Sequence, residues 1–216
     1  MVKHRLMLIE GLPGTGKTTL ARHLQQCLQE DGQSVECLLE NDKPHPLHPP
    51  WHSDPQQMAD AFVACWREHL QGRLSQERTV IADAAIFQTV ARILLLQNFP
   101  DALIDQCLLE ISCNIEALNP LLLYVRTADS DAHIRSLCEQ RGDDWRSFLV
   151  QASTENRYAA SQGYRGFTGM LQFIVDYQRR SEHWFDFWPL DKHSLYHRGD
   201  WEMLYSEVYS KLGFQR

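Results

Sequence analysis

Residues 9–20, IEGLPGTGKTTL, place Gly11, Gly14, Gly16, Lys17, Thr18 and Thr19 between an apolar run and the start of a helical pattern. Gly11, Gly16, Lys17 and Thr18 fit the spacing GxxxxGK[ST]. Glycines at those positions let the backbone curl so that successive N–H groups converge on phosphate oxygens, and a helix opening there adds about half a positive charge. In such a cradle, which Gly14, Thr15 and Thr19 complete, Lys17 would reach the β and γ phosphates and the Thr18 hydroxyl would bind Mg²⁺. Two acids close apolar runs further on, Glu40 at the end of VECLLE and Asp83 at the end of TVIAD. A carboxylate in such a place can hold a metal ion or accept the proton of a hydroxyl nucleophile.

These residues need a scaffold on which to converge. Leu6 to Glu10 reads as a short buried strand, and Leu20, Leu24, Cys27 and Leu28 then recur at helical spacing until Asp31-Gly32. Ser34 to Leu39 reads as a second strand, Met58 to Leu70 as a helix with one apolar face, and Thr79 to Ala82 as a third strand that ends at Asp83. Helices over 87–97 and 102–118, broken at Phe99-Pro100, lead to a fourth strand, Leu121 to Val125. Residues 129–162 read as polar helices, Phe167 to Trp184 as a longer helix with an apolar stripe, Ser194 to His197 as a fifth strand and Trp201 to Leu212 as a closing helix. The alternation of strands and helices predicts a parallel sheet covered on both faces.

The segment at 9–20 is the Walker A motif, and on it the chain resembles the P-loop NTPases. The resemblance implies an α/β fold of three α/β/α layers, a five-stranded parallel sheet in the order 2-3-1-4-5, and ATP, more than GTP, with Mg²⁺ at the end of the first strand. TVIAD resembles a Walker B segment, which implies that Asp83 shares the Mg²⁺ with Thr18. Within this class the chain looks most like the nucleoside and nucleotide kinases, and an AAA-type or general ATP-binding label suits the same motif. Glu40 followed by Trp51 resembles the Glu-Pro-x-x-x-Trp segment of deoxynucleoside kinases, with a longer spacing and no proline directly after the acid; it implies a base at Glu40 and an aromatic ring beside the acceptor. Phe87 and Gln88 resemble the aromatic and amide that hold a nucleobase there. Residues 126–146, RTADSDAHIRSLCEQRGDDWR, resemble the lid of these kinases, so Arg135 and Arg141, with Arg126 and Arg146 in reserve, are expected to fold over the phosphates. Arginines of that kind accelerate transfer by about 10³ to 10⁵. The expected organisation is a single kinase-like domain over 1–216 with a lid-like helical segment at about 127–165.

Competing readings accompany each assignment. Arg135 also stands four residues before Glu139, an ordinary exposed helix pair. His45, His48 and His52 crowd one proline-rich loop, where a mobile cover over the acceptor pocket is favoured over a zinc site because no cysteine or carboxylate completes a tetrahedral set. A GTPase would need NKxD, whereas ENDK at 40–43 has another order, and a motor or AAA-type assembly would need more chain. The expected function is transfer of the γ-phosphate of Mg-ATP to a small-molecule hydroxyl or phosphate; the alternative is a nucleotide-binding regulatory protein with little acceptor chemistry. A net charge of −7 argues against nucleic acid as a partner. The apolar runs are too short for a spanning helix, and six scattered cysteines without a CxxC read as reduced thiols, which together point to the cytoplasm. Oligomeric state stays open, with a homodimer through a long helix among the states the resemblance allows.

Overall fold

The computed structural model describes residues 3–71, 77–197 and 199–212. Five strands, β1 (Leu6–Gly11), β2 (Val35–Leu38), β3 (Thr79–Asp83), β4 (Leu121–Arg126) and β5 (Lys192–Tyr196), form one sheet in the order β2-β3-β1-β4-β5. Every pairing is parallel, with β1 central between β3 and β4. The expected fold class is therefore the observed one, and Pro120, Gly32 and Asp31 end elements where the sequence places them.

Parallel strands need crossovers, and helices supply them. Helices α1 (Lys17–Glu30) and α9 (Trp201–Leu212) cover one face. The other face carries α2 (Pro55–Gln71), a π-helical turn (Ile86–Ala91) that runs directly into α3 (Arg92–Leu96), α4 (Asp101–Ile115) and α8 (Gly166–Phe187). Between β4 and α8 stand α5 (Ser130–Arg141), α6 (Asp143–Thr154) and α7 (Arg157–Gln162). None of the described helices is long and apolar enough to cross a membrane.

Strand side chains alternate between the two faces, so each strand feeds two cores. Met7 and Ile9 join Ile81, Leu123 and Val125 beneath α1, whose Leu20, Leu24 and Leu28 supply the apolar stripe. Leu6 and Leu8 join Ala82, Leu122 and Tyr124 in the larger core with Phe62, Trp66, Ile111, Phe173 and Tyr177. The same alternation sends the Glu10 side chain into that larger core, where it is fully buried. An acid there must find donors, and those donors organise the site described below.

The last residue of β1 is constrained by its neighbour. Gly11 pairs with Val125 and has φ of 147°, and a Cβ on it would lie 2.5 Å from the Val125 carbonyl oxygen. That contact is with backbone of a buried central strand, which cannot move aside as a side-chain tip can. Gly11→Ala is expected to lower unfolding free energy by roughly 2–4 kcal/mol, combining a disfavoured φ with overpacking, as read from urea denaturation with an unchanged m value.

Candidate active site

The phosphate-type loop lies between β1 and α1, as its spacing requires. Lys17, the first residue of α1, is buried, and its Nζ donates to the Leu12 carbonyl at 3.0 Å; the Thr15 hydroxyl donates to the same oxygen at 2.9 Å. Burial pulls the Lys17 ammonium below the ordinary lysine range, while the negative charges of Glu40, Asp83 and Glu10 draw it back up. Because β1 and β3 pair in register, Thr18 meets Asp83, and its hydroxyl donates to Asp83 Oδ2 at 2.5 Å. Asp83 Oδ1 is buried with no hydrogen-bond partner, and burial raises this carboxyl above its usual range. Gly11, Gly16, Lys17, Thr18 and Asp83 thus come together, whereas Gly14 and Thr19 are exposed.

Past Asp83 the chain turns abruptly. Ala84, fully buried, takes φ of 59°; its N–H donates to Ile9 O at 2.9 Å, and its carbonyl accepts from the Thr89 hydroxyl at 2.7 Å. A non-glycine residue in this conformation is held there by its surroundings, and such places cluster at functional sites. The turn launches the π-helix, whose first N–H groups have no partner within the helix. Glu10 supplies one: its Oε1 accepts from Ile86 N at 2.6 Å and its Oε2 from Gln88 N at 3.3 Å. Burial lifts the Glu10 carboxyl from 4.5 to about 7, against the opposing pull of these amides and of Lys17.

Gln88 carries the arrangement across to β2. Its side-chain amide donates to Glu40 Oε1 at 2.5 Å, and its own Oε1 is buried without a partner. Glu40 lies just beyond β2, so acids at the ends of β2 and β3 face Lys17 from one side. The neighbouring loop is pinned inward by His45, which is buried, accepts from Leu47 N at 3.2 Å and is pushed by burial to about 4. His45 is therefore neutral near neutral pH. Among the described residues no group of three or more His, Cys, Asp or Glu side chains is arranged to hold a metal ion.

Several expected placements are not the observed ones. Trp51 is 55% exposed rather than enclosed beside an acceptor. Phe87 is a core residue among the rings of Tyr124, Trp184 and Trp188, since the π-helix turns it under α8. Arg135 and Arg141 are exposed on α5 and engaged away from Lys17. Arg135 pairs with Asp131, not Glu139, and lies over Phe167, while Arg141 lies over Trp145. Of the reserves, Arg126 pairs with Glu182 at 3.1 Å and Arg146 with Asp143 at 2.9 Å. What α5 brings to the loop is uncharged: Leu137, 2.2 Å from where a Gly14 Cβ would be, and His133, whose Nε2 donates to Pro13 O at 3.0 Å. From the opposite side the Trp201 ring closes on Gly16, which has φ of 92° and leaves 2.4 Å for a Cβ.

Two residues at this centre escape a reading of the sequence by motif. Glu10 looks like the polar end of an apolar strand, although its position one residue before Gly11 and on the Leu6/Leu8 face marks it as inward. Arg92 is the single charged residue between Asp83 and Asp101, a signal that is visible once it is sought. Its charge is felt at Lys17 and at the buried Tyr177. For Glu10 the sign of the pH effect follows from its direction. A carboxyl raised on folding contributes most below its unfolded value and loses that contribution as pH climbs through the folded one. Wild-type stability relative to Glu10→Gln should therefore fall by about 3 kcal/mol from about pH 4.5 to about pH 8, measured by urea unfolding at each pH.

The comparisons with known proteins agree with this geometry. No curated protein sequence matches the chain. Among solved structures, thymidylate kinase from Ehrlichia chaffeensis is similar over 98% of this chain and 99% of its own, with 18% identity and a TM-score of 0.51. Thymidylate kinase from Candida albicans is 16% identical over 99% of this chain and 92% of its own (TM-score 0.47), and deoxyadenosine kinase from M. mycoides is 14% identical over 97% and 100% (TM-score 0.47). At such identity the first of these bears on the fold alone, and it has the nucleotide-kinase type of P-loop architecture. The sequence model of the AAA domain matches residues 6–118, more than half of the chain, and includes the loop, Glu40, Asp83 and Arg92. With that match and this sheet order, the chain belongs to the AAA domain family of P-loop NTPases and has the fold of the nucleotide kinases.

Proposed function

We propose that this protein is a phosphotransferase that moves the γ-phosphate of Mg-ATP to a small-molecule hydroxyl or phosphate, as nucleoside and nucleotide kinases do. The observation that carries the reading is the convergence on Lys17 of two separate groups: the Thr18–Asp83 pair, and the Glu40–Gln88 pair on the side where open α/β sheets bind a second ligand. A protein that only retained nucleotide would need the first and not the second.

The residues present fit Mg²⁺. A hydroxyl and a carboxylate already in contact, one carboxylate oxygen being buried and unpartnered, are oxygen donors of the kind this ion takes from a protein that leaves its other positions to phosphates and water. When bound, the ion would neutralise charge on the β and γ phosphates. Lys17, released from Leu12 O, would pair with the phosphates, and the loop amides would orient them for in-line attack. Glu40, held by Gln88, would orient the acceptor and take its proton when that acceptor is a hydroxyl. Helices α5 to α7, within the segment 127–165, form the lid in this proposal, with Leu137 and His133 as its contacts to the loop.

The positions of Arg135 and Arg141, both engaged elsewhere, favour a second reading in which the protein binds nucleotide without efficient transfer. The two separate in one assay: ADP release from Mg-ATP with a panel of nucleosides, nucleoside monophosphates and other hydroxyl compounds. Acceptor-stimulated release is expected, with Lys17→Ala losing at least about a thousandfold in turnover while its circular dichroism stays native. Glu40→Gln should lose turnover with ATP affinity retained; tight ATP binding without any stimulation supports the second reading.

A further inference from the structure

Arg92 is half-buried, and among the described residues it makes no hydrogen bond and no ion pair. It does not belong to a solvated stripe, because no residue of α3 is exposed: Leu94 and Leu95 are buried, and Ile93 and Leu96 pack partly buried against the larger core. The charge points inward. It depresses the Lys17 ammonium and is felt at Tyr177, which places the guanidinium between the start of α1 and α8. One turn earlier on the same face is Gln88, whose side-chain oxygen is buried and unpartnered although its amide is bound to Glu40.

Two cations close enough to repel, one fully buried and one without a partner, are costly unless an anion arrives. The triphosphate answers for Lys17 through the loop. Arg92 lies on the other side of the transfer point, on the helix that carries Gln88 and after the strand that ends in Asp83. A neutral hydroxyl compound would leave it unpaired. A guanidinium is suited to phosphate because its fork of N–H donors matches the oxygens in pairs.

We propose that Arg92 binds the acceptor and that the acceptor is a phosphomonoester whose own phosphate oxygen receives the γ-phosphate. The inference rests on the phosphotransferase reading above and narrows it. In the step, an acceptor phosphate oxygen forms a bond to the γ-phosphorus as the bond from that phosphorus to the ADP oxygen breaks. ADP leaves with the electron pair, and the product is a diphosphate. The attacking oxygen is already deprotonated at neutral pH, so no proton has to be removed. Glu40 then serves through Gln88, as a positioning residue.

The test uses the full chain. Mg-AMPPNP first saturates the donor site, followed by thermal-shift titration with nucleoside monophosphates and sugar phosphates, each set beside its dephosphorylated counterpart. Phosphomonoesters are expected to raise the midpoint and the dephosphorylated compounds to leave it unchanged, with the two kinds of ester telling a nucleotide acceptor from a sugar phosphate. Arg92→Gln should weaken that second binding by about ten- to a hundredfold and leave AMPPNP affinity intact, with Arg92→Lys in between. In turnover the same variant should raise KM for the phosphomonoester and not for ATP. Arg92→Gln that binds AMPPNP poorly would assign the arginine to the donor and overturn the proposal, as would neutral acceptors that bind equally well. Failure of the wild-type protein to bind AMPPNP at all would remove the phosphotransferase reading itself.

Discussion

A buried ammonium is the constraint around which the site is built. Lys17 opens α1 inside the protein, and three carboxylates, Glu40, Asp83 and Glu10, supply the field that keeps its charge tolerable there. Each comes from the C-terminal end of a different strand, β2, β3 and β1, which is where a parallel sheet brings chain ends together. The sheet order is therefore part of the electrostatics: β3 beside β1 puts Asp83 on Thr18, and β2 beside β3 brings Glu40 within reach. Lys17 rests on the carbonyl of Leu12, a neutral partner that a phosphate oxygen can displace.

The three acids are not equivalent, and their differences follow from their surroundings. Asp83 keeps one oxygen unpartnered, a state that suits a cation ligand. Glu40 is tied to a side-chain amide. Glu10 is enclosed and spent on backbone, because it caps the π-helix in place of a residue within the helix. Through that cap the strand that carries the phosphate loop also sets the position of Gln88, and Gln88 in turn sets Glu40. The donor and acceptor sides are thus joined by a continuous run of hydrogen bonds, Glu10 to the Gln88 backbone and the Gln88 side chain to Glu40. The strained turn at Ala84 is what allows it, for a continuing strand would carry residue 88 past the end of the sheet.

The loop is held from outside by packing and not by charge. Leu137 on α5 and Trp201 on α9 close on Gly14 and Gly16 at distances that only glycine permits. The glycines therefore have two duties, to aim amides inward and to let two helices approach from outside. The arginines of α5 and α6 take no part in that contact; each is satisfied by a carboxylate or an aromatic face within its own neighbourhood.

Much of this was written locally in the chain. The phosphate loop is legible because its chemistry depends on a spacing of eight residues and on glycine at fixed offsets, both of which survive any change in the rest of the fold. The strands, their parallel arrangement and the helix that follows each are legible for the same reason, since periods of 2 and 3.6 are properties of a segment. The roles of Glu10, Gln88 and Arg92 are of another kind. Glu10 meets Ile86 and Gln88 across 76 and 78 residues of sequence, and which helix covers its face of β1 is settled only when the crossovers pack. Arg135 shows the converse: two acids stand four residues from it, on either side in sequence, and only the tertiary arrangement, with Phe167 beneath its guanidinium, selects Asp131. Composition and spacing determined that a phosphate would be bound and at which strand; the tertiary structure decided which charges face it, because the energy of a buried charge depends on every element packed around it.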